Sequence, residues 1–260
     1  MLRVILAVML FLSHIGYAQT AKASDPVAIS AVQNALSSLV GKLPVADVSI
    51  DATVVSPSGL DSETGSGTFT AKGLNLSRTQ ITLSSATRTD TRNITNGIPA
   101  GQWSVNGQPA STYALHNCWT DAAWFFPAFS ALAQWSNGNF VWSYVGSERH
   151  AGLNTQHLRV VQLYPQDAKS LLAVQRLSTT DFYLDPVSFL PLAVVSKVHP
   201  DQDMNTDIPV EIRFADYRSV QGVQVPFRVQ KLLNGTLLLD LTVTSAVLNS
   251  GLQDSAFTLQ

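Results

Sequence analysis

Residues 208–247 read IPVEIRFADYRSVQGVQVPFRVQKLLNGTLLLDLTVTSAV, and the period of this stretch decides the fold. Ile208, Val210, Ile212 and Phe214 face one way and Glu211, Arg213, Ala215 and Tyr217 the other. That alternation belongs to a strand with one buried face. Val225, Phe227 and Val229 repeat it in 223–232, and leucine, valine and threonine dominate 236–247. Gln221-Gly222 and Asn234-Gly235 divide the three runs, Asn-Gly being the strongest short-range hairpin signal. Strands joined by turns this short are antiparallel, because parallel neighbours need a crossover of about a dozen residues or more.

The same period runs upstream. It is present in 139–146, where Phe140, Trp142 and Tyr144 share a face, in 155–164, in 180–184 and in the apolar run 189–198. Nearer the N-terminus, 47–54, 66–73, 77–84 and the Thr/Arg/Asp stretch 86–94 read as strands, the last with a wet face. Gly65-Ser66-Gly67 reads as a turn signature. Helical spacing governs 26–40, where Ile29, Val32, Leu36, Leu39 and Val40 recur at threes and fours. Ser24 and Asp25 are placed to cap this helix, Pro26 to start it and Gly41 to end it. Residues 166–175 read as a short surface helix. Ten or eleven strands against two or three helices make a wide sheet, and a sheet this wide curls and needs one side covered.

The cover comes from the most hydrophobic stretch of the chain, CWTDAAWFFPAFSALAQW at 118–135. Pro127 splits a helix there into two short pieces meeting near Phe126. The expected class is therefore α+β: a strongly curved antiparallel sheet, a half-barrel, with helices over its concave face. Residues 19–260 form a single domain in this reading, with 118–135 as an aromatic helical insertion or lid.

The first eighteen residues, MLRVILAVMLFLSHIGYA, are an address. Arg3 is the positive head, Val4 to Leu12 an unbroken apolar run, and Gly16 and Ala18 the small residues before a cut at Gln19. A run of nine is too short to span a membrane, which takes about twenty residues, and no later run approaches that length. The reading is a periplasmic or secreted protein, cleaved near Ala18-Gln19 and not membrane-spanning. Its formal net charge of −2, from 16 Lys+Arg against 18 Asp+Glu, offers nothing to nucleic acid. Cys118, the one cysteine among 260 residues, excludes an internal disulfide and fits a buried thiol.

No chemical motif stands out. His116, His150, His157 and His199 form no i,i+4 pair, although His150 and His157 are spaced to face each other across a hairpin with Glu148 or Asp121 near. Asp201, Asp203 and Asp207 lack the Gly and Glu of a calcium loop. No Gly-x-Ser-x-Gly elbow is present, and His116 and Cys118 on one backbone do not make a dyad. No metal or cofactor is expected, and no catalytic residue.

Two segments resemble a known family. DFYLDPVSFLP at 181–191 and FADYRSVQGVQVP at 214–226 are similar to the C-terminal half of the periplasmic lipoprotein carriers, the outer-membrane lipoprotein-sorting superfamily. The resemblance covers mainly 181–248, with the order of elements in 26–95 agreeing. It implies a half-barrel plugged by helices, and a lipid or acylated protein carried in a covered apolar hollow. On that footing Trp119, Trp124, Phe125, Phe126, Phe129, Trp135, Trp142 and Tyr144 are the candidate hydrophobic ligand wall. The same aromatics equally suit a solid core. Two functions stay open at this point: a non-catalytic carrier of a hydrophobic ligand, and a cell-envelope structural or interaction module with an envelope protein as partner.

Overall fold

Helix α1 spans Pro26–Val40, as its spacing predicts. The Asp25 carboxylate accepts the Val27 N–H at 2.8 Å and so caps the helix. Gly41 ends it in a left-handed turn (φ 56°), donating to the Ser37 carbonyl. Its buried face is Ala28, Ala31, Val32, Ala35 and Leu39, mostly small side chains that let the helix lie close on its support. Ser24 does not cap the helix; its hydroxyl accepts the Trp142 N–H at 3.1 Å.

A computed structural model describes residues 23–58, 61–163 and 168–260, and the signal-peptide reading of residues 1–18 lies outside them. In the first half the strands are β1 (Asp47–Ser58), β2 (Asp61–Lys72), β3 (Leu76–Thr82), β4 (Thr87–Thr95), β5 (Ile98–Val105) and β6 (Ser111–Thr112). In the second they are β7 (Phe140–His150), β8 (Leu153–Gln162), β9 (Thr180–Leu184), β10 (Pro191–Val198), β11 (Ile208–Val220), β12 (Val223–Leu233) and β13 (Thr236–Leu248). Helix α2 (Ala168–Leu177) lies between β8 and β9. The described strands form one antiparallel sheet ordered β6-β5-β4-β3-β2-β1-β13-β12-β11-β10-β9-β8-β7. Each wing is a meander, and the first and last strands join the wings at the centre, with Val48 opposite Leu248 and Val54 opposite Leu241. At Asn234-Gly235 both φ angles are positive (48° and 78°), as a two-residue hairpin requires.

The expected half-barrel roofed by helices is not what forms. The sheet has thirteen strands, stays open and ends on β6 and β7. The described α-helices number two, of 15 and 10 residues. Residues 118–135 are turns with two 3-10 segments, Pro127–Phe129 and Ala131–Gln134. Pro127 has no N–H to continue a helix, and Phe126 is extended (φ −133°). Phe125 and Phe126 are both almost fully buried, which consecutive positions on a one-sided helix do not achieve.

Two further expectations are corrected. Gly65-Ser66-Gly67 is not a turn but lies inside β2. A Cβ at Gly65 would stand 1.9 Å from the Thr82 carbonyl oxygen, so the glycine serves close strand approach. Tyr217 does not stay on the outer face with Glu211 and Arg213. Asp216 is left-handed (φ 53°), and Tyr217 packs against the core with its hydroxyl donating to the Pro191 carbonyl at 2.7 Å.

The core has two main parts. One gathers Val48, Ile50, Val54, Phe69, Ile212, Phe214, Val225, Val229 and Leu241 from both wings around Phe125, Phe126 and Phe129. The other seats α1 and Leu132 on Trp142, Leu158, Val160, Phe182 and Leu184.

Candidate functional site

The irregular segment 113–135 is tied to both wings of the sheet. On one side Ser77 of β3 donates to the Ala122 carbonyl at 2.8 Å, and the Arg92 guanidinium of β4 donates to the Cys118 carbonyl at 2.6 Å. On the other side Asn117 exchanges two 2.8 Å hydrogen bonds with the His199 backbone, and Gln162 of β8 donates to the Trp119 carbonyl at 3.3 Å. Backbone that no ladder pairs is thereby satisfied by side chains of the sheet.

Two cavities flank this segment. The first, of about 330 Å³, has Ala123, Trp124, Val194, Val210, Ile212 and Phe214 among its apolar walls. The second, of about 470 Å³, has Ile81, Leu83, Ala122, Leu238 and Leu239. Arg92, Tyr113, Trp124 and Lys231 line both, so the two meet there. Trp124 stands edge-on to Phe69 and to Phe125, with ring centres 5.9 and 5.8 Å apart. The Lys231 ammonium lies 4.6 Å from the Trp124 ring centre, a cation–π contact.

Charge around the junction is unevenly compensated. Arg88 holds Asp90 through two hydrogen bonds of 2.9 Å, and the Tyr113 hydroxyl also donates to Asp90. Burial, with Asp90 beside it, pushes the Tyr113 phenol well above its usual range. Asp121 accepts a hydrogen bond from the Ala131 N–H, yet burial drives its carboxyl up to about 7. Burial pulls the Lys231 ammonium down; Asp90 opposes that, and Arg88 and Arg92 add to it. At the rim, the buried His199 ring bonds Asp207 at 3.0 Å through Nε2, and its Nδ1 has no partner among the described residues. Burial holds His199 below its usual pKa, which favours the neutral ring.

Of the eight aromatics singled out from the sequence, Trp124 lines both cavities. Trp119 lines a separate narrow pocket of about 60 Å³, and Trp135 a surface groove beside Ala23 and Ser24. Phe125, Phe126, Phe129 and Trp142 sit in the core, with Tyr144 partly buried against it. Arg92, Asp121, Tyr113 and Lys231 were not among the candidate wall residues. Lys231 carried a readable signal, because it falls on the Val225 and Val229 side of its alternation, where a cation is out of place. Arg88, Asp90 and Arg92 share a face of β4 by the same period, and that face lines the second cavity, with Arg88 exposed and Asp90 and Arg92 half-buried.

The histidines pair elsewhere. Tyr183 is stacked between His150 and His157, at 3.7 and 4.5 Å. His157 lies 2.7 Å from Glu148 and 2.9 Å from Asp181, while His150 bonds Glu211 at 2.9 Å. Asp207, in the acidic loop, is held down to about 2 by its bond to Lys197, with His199 and Arg176 adding. Among the described residues no group of three or more His, Cys, Asp or Glu is placed to hold a metal ion, and no helix is long and apolar enough to cross a membrane.

The fold has relatives among solved structures. An outer-membrane lipoprotein-sorting protein domain from Vibrio parahaemolyticus superposes with a TM-score of 0.57 at 10% identity, over 89% of this chain and 96% of that one. A DUF1329 family protein from Desulfovibrio piger gives 0.56 at 9%, over 91% and 98%. A LolA superfamily protein from Nitrosomonas europaea gives 0.53 at 11%, over 89% and 97%. At these identities the likeness establishes a shared fold, and it extends well beyond residues 181–248. No family model matches the chain, and no curated protein does.

Proposed function

We propose that this chain is an exported, non-catalytic binding protein that holds a hydrophobic ligand, a lipid or acyl chain, in the two cavities meeting at Trp124. The observation that carries the reading is the pair of apolar-walled spaces that meet at Trp124, Arg92, Tyr113 and Lys231. Their volumes fall within the range of about 300–1,000 Å³ common to small-molecule pockets. Each methylene moved from water to such walls contributes about 0.8 kcal/mol, so an acyl chain of ordinary length binds firmly without any bond-making group. The fold shared with a lipoprotein-sorting domain supports the reading, and so does the secretory pattern of residues 1–18. In this proposal residues 19–260 act as one unit in the periplasm or outside the cell, with Trp124 as an inner wall of both spaces.

Native mass spectrometry of the protein purified from its host, followed by solvent extraction, tests the proposal. A lipid mass that copurifies and is released on extraction supports it. A bare protein that also takes up no added amphiphile overturns it, and favours the envelope interaction module.

A further inference from the structure

At the cavity junction one cation, Lys231, is paired with no acid among the described residues. Three basic side chains line the joined space: Arg88, Arg92 and Lys231. Arg88 is matched by Asp90. Arg92 donates to the carbonyl oxygens of Cys118 and Thr120, and among the described residues its charge acts on Asp121 without a hydrogen bond. Lys231 meets the face of Trp124 and has no hydrogen-bond acceptor or ion-pair partner among the described residues. The remaining acids do not close the account. Asp90 is already shared between Arg88 and Tyr113. Asp121 is held by Ala131 with its carboxyl raised to about 7. Asp201 lines the first cavity with Arg92 and Lys231 and, among the described residues, makes no ion pair with either. Lys231 is half-buried; a partly desolvated ammonium without a partner carries a cost, and such a group lining a cavity points to a binding site.

We infer that the joined cavity takes an amphiphile with an anionic head, a carboxylate or a phosphate, seated between Lys231 and Arg92 with its acyl tail along Ile212 and Phe214 in the first space or along Leu238 and Leu239 in the second. The inference rests on the hydrophobic-ligand reading and adds the charge of the ligand to it. The head supplies the acceptor that Lys231 lacks, through charge-assisted bonds that are stronger than neutral ones. Trp124 holds the ammonium at the junction of the two spaces, which lets a tail run into either. The arrangement selects against a neutral alcohol or ester of the same length, because neither brings a countercharge.

The test compares dodecanoate, dodecyl phosphate and dodecanol by calorimetric titration of the delipidated protein and of Lys231→Met. Met keeps the length of the side chain and removes a partly desolvated charge, so the variant folds at least as well. The native protein binds at least one of the two anions about tenfold or more tightly than dodecanol. Lys231→Met loses that preference and keeps its affinity for dodecanol, and Lys231→Arg restores it. Which anion gains more identifies the head as carboxylate or phosphate. Equal binding of all three ligands overturns the anionic head and leaves the hydrophobic-ligand reading standing. An anion preference that survives in Lys231→Met also overturns this seat. Binding of none of the three overturns both readings.

Discussion

Replacing Trp124 by Ala separates a ligand wall from ordinary core. Trp124 makes two edge-on ring contacts, with Phe69 and Phe125, and one cation–π contact, with Lys231. Such aromatic pairs contribute about 0.5–1.5 kcal/mol each, and a cation–π contact adds about 0.5–2 kcal/mol. The indole lines two spaces that already exist and meet beside it, so its removal enlarges them and creates no new sealed void. The expected loss of stability therefore lies in the lower half of the range of about 1.5–5 kcal/mol that these contacts span. Phe125 is the control. It is 1% exposed in the same cluster and is not a lining residue of either cavity, and deleting a buried Phe costs about 3–5 kcal/mol. Urea unfolding with an unchanged m-value measures both losses, and titration with an apolar fluorescent probe measures the site. Trp124→Ala is expected to weaken the probe severalfold with a modest loss of stability. Phe125→Ala is expected to lose more stability and keep its probe affinity. If Trp124→Ala leaves the probe untouched while destabilising as much as Phe125→Ala, the wall argument is wrong.

Three other outcomes follow from particular groups. Asp121 has a folded pKa near 7, above its ordinary 3.8, so the native state binds its proton more tightly than the unfolded chain does. Stability from this group is full below about pH 4, falls as pH rises towards 7 and is flat above. Thermal melts of Asp121→Asn against the native protein should show the variant gaining on it by roughly 2–4 kcal/mol from pH 5 to pH 8, and parallel melts at both pH values would contradict the assignment. Asp47 at the start of β1 is buried, which pulls its carboxyl up, but bonds from Ser250, Gly251 and Leu252 hold it below its ordinary value. Its contribution is present above about pH 4 and lost in stronger acid; Asp47→Ala should cost about 3 kcal/mol in urea unfolding at pH 7, and a loss under half of that would mean the clamp is idle. Gly101→Ala places a Cβ 2.5 Å from the Arg92 Cδ, so it should weaken dodecanoate binding about tenfold relative to dodecanol; an unchanged ratio would show that Arg92 does not touch the ligand.

Much of the secondary structure was legible, because local period carries it. Helix α1 and strand β9 match their sequence boundaries, since caps and turns at Asp25, Gly41 and Asp185-Pro186 are local signals. The β1–β13 pairing that joins the wings was not legible, because partners nearly two hundred residues apart leave no mark on either strand. The segment 118–135 misled for a related reason: its composition announces burial, but burial from several directions at once suits turns better than a one-sided helix. The junction was half legible. Lys231 breaks the apolar face of β12, a signal visible in sequence. Arg92 lies in a stretch that composition alone assigns to water, and only the second wing and segment 113–135 turn that face of β4 into a cavity wall.

Photolabelling with a dodecanoate analogue carrying a diazirine on its terminal carbon tests the central claim most directly. Peptide mapping is expected to place the adducts on segment 119–128 or on β10 to β13, around Val194, Ile212, Phe214 and Leu239, with competition by unlabelled dodecanoate. Adducts confined to the outer face around His150, Tyr183 and Arg159, or no adduct that unlabelled ligand displaces, would contradict a ligand held at Trp124.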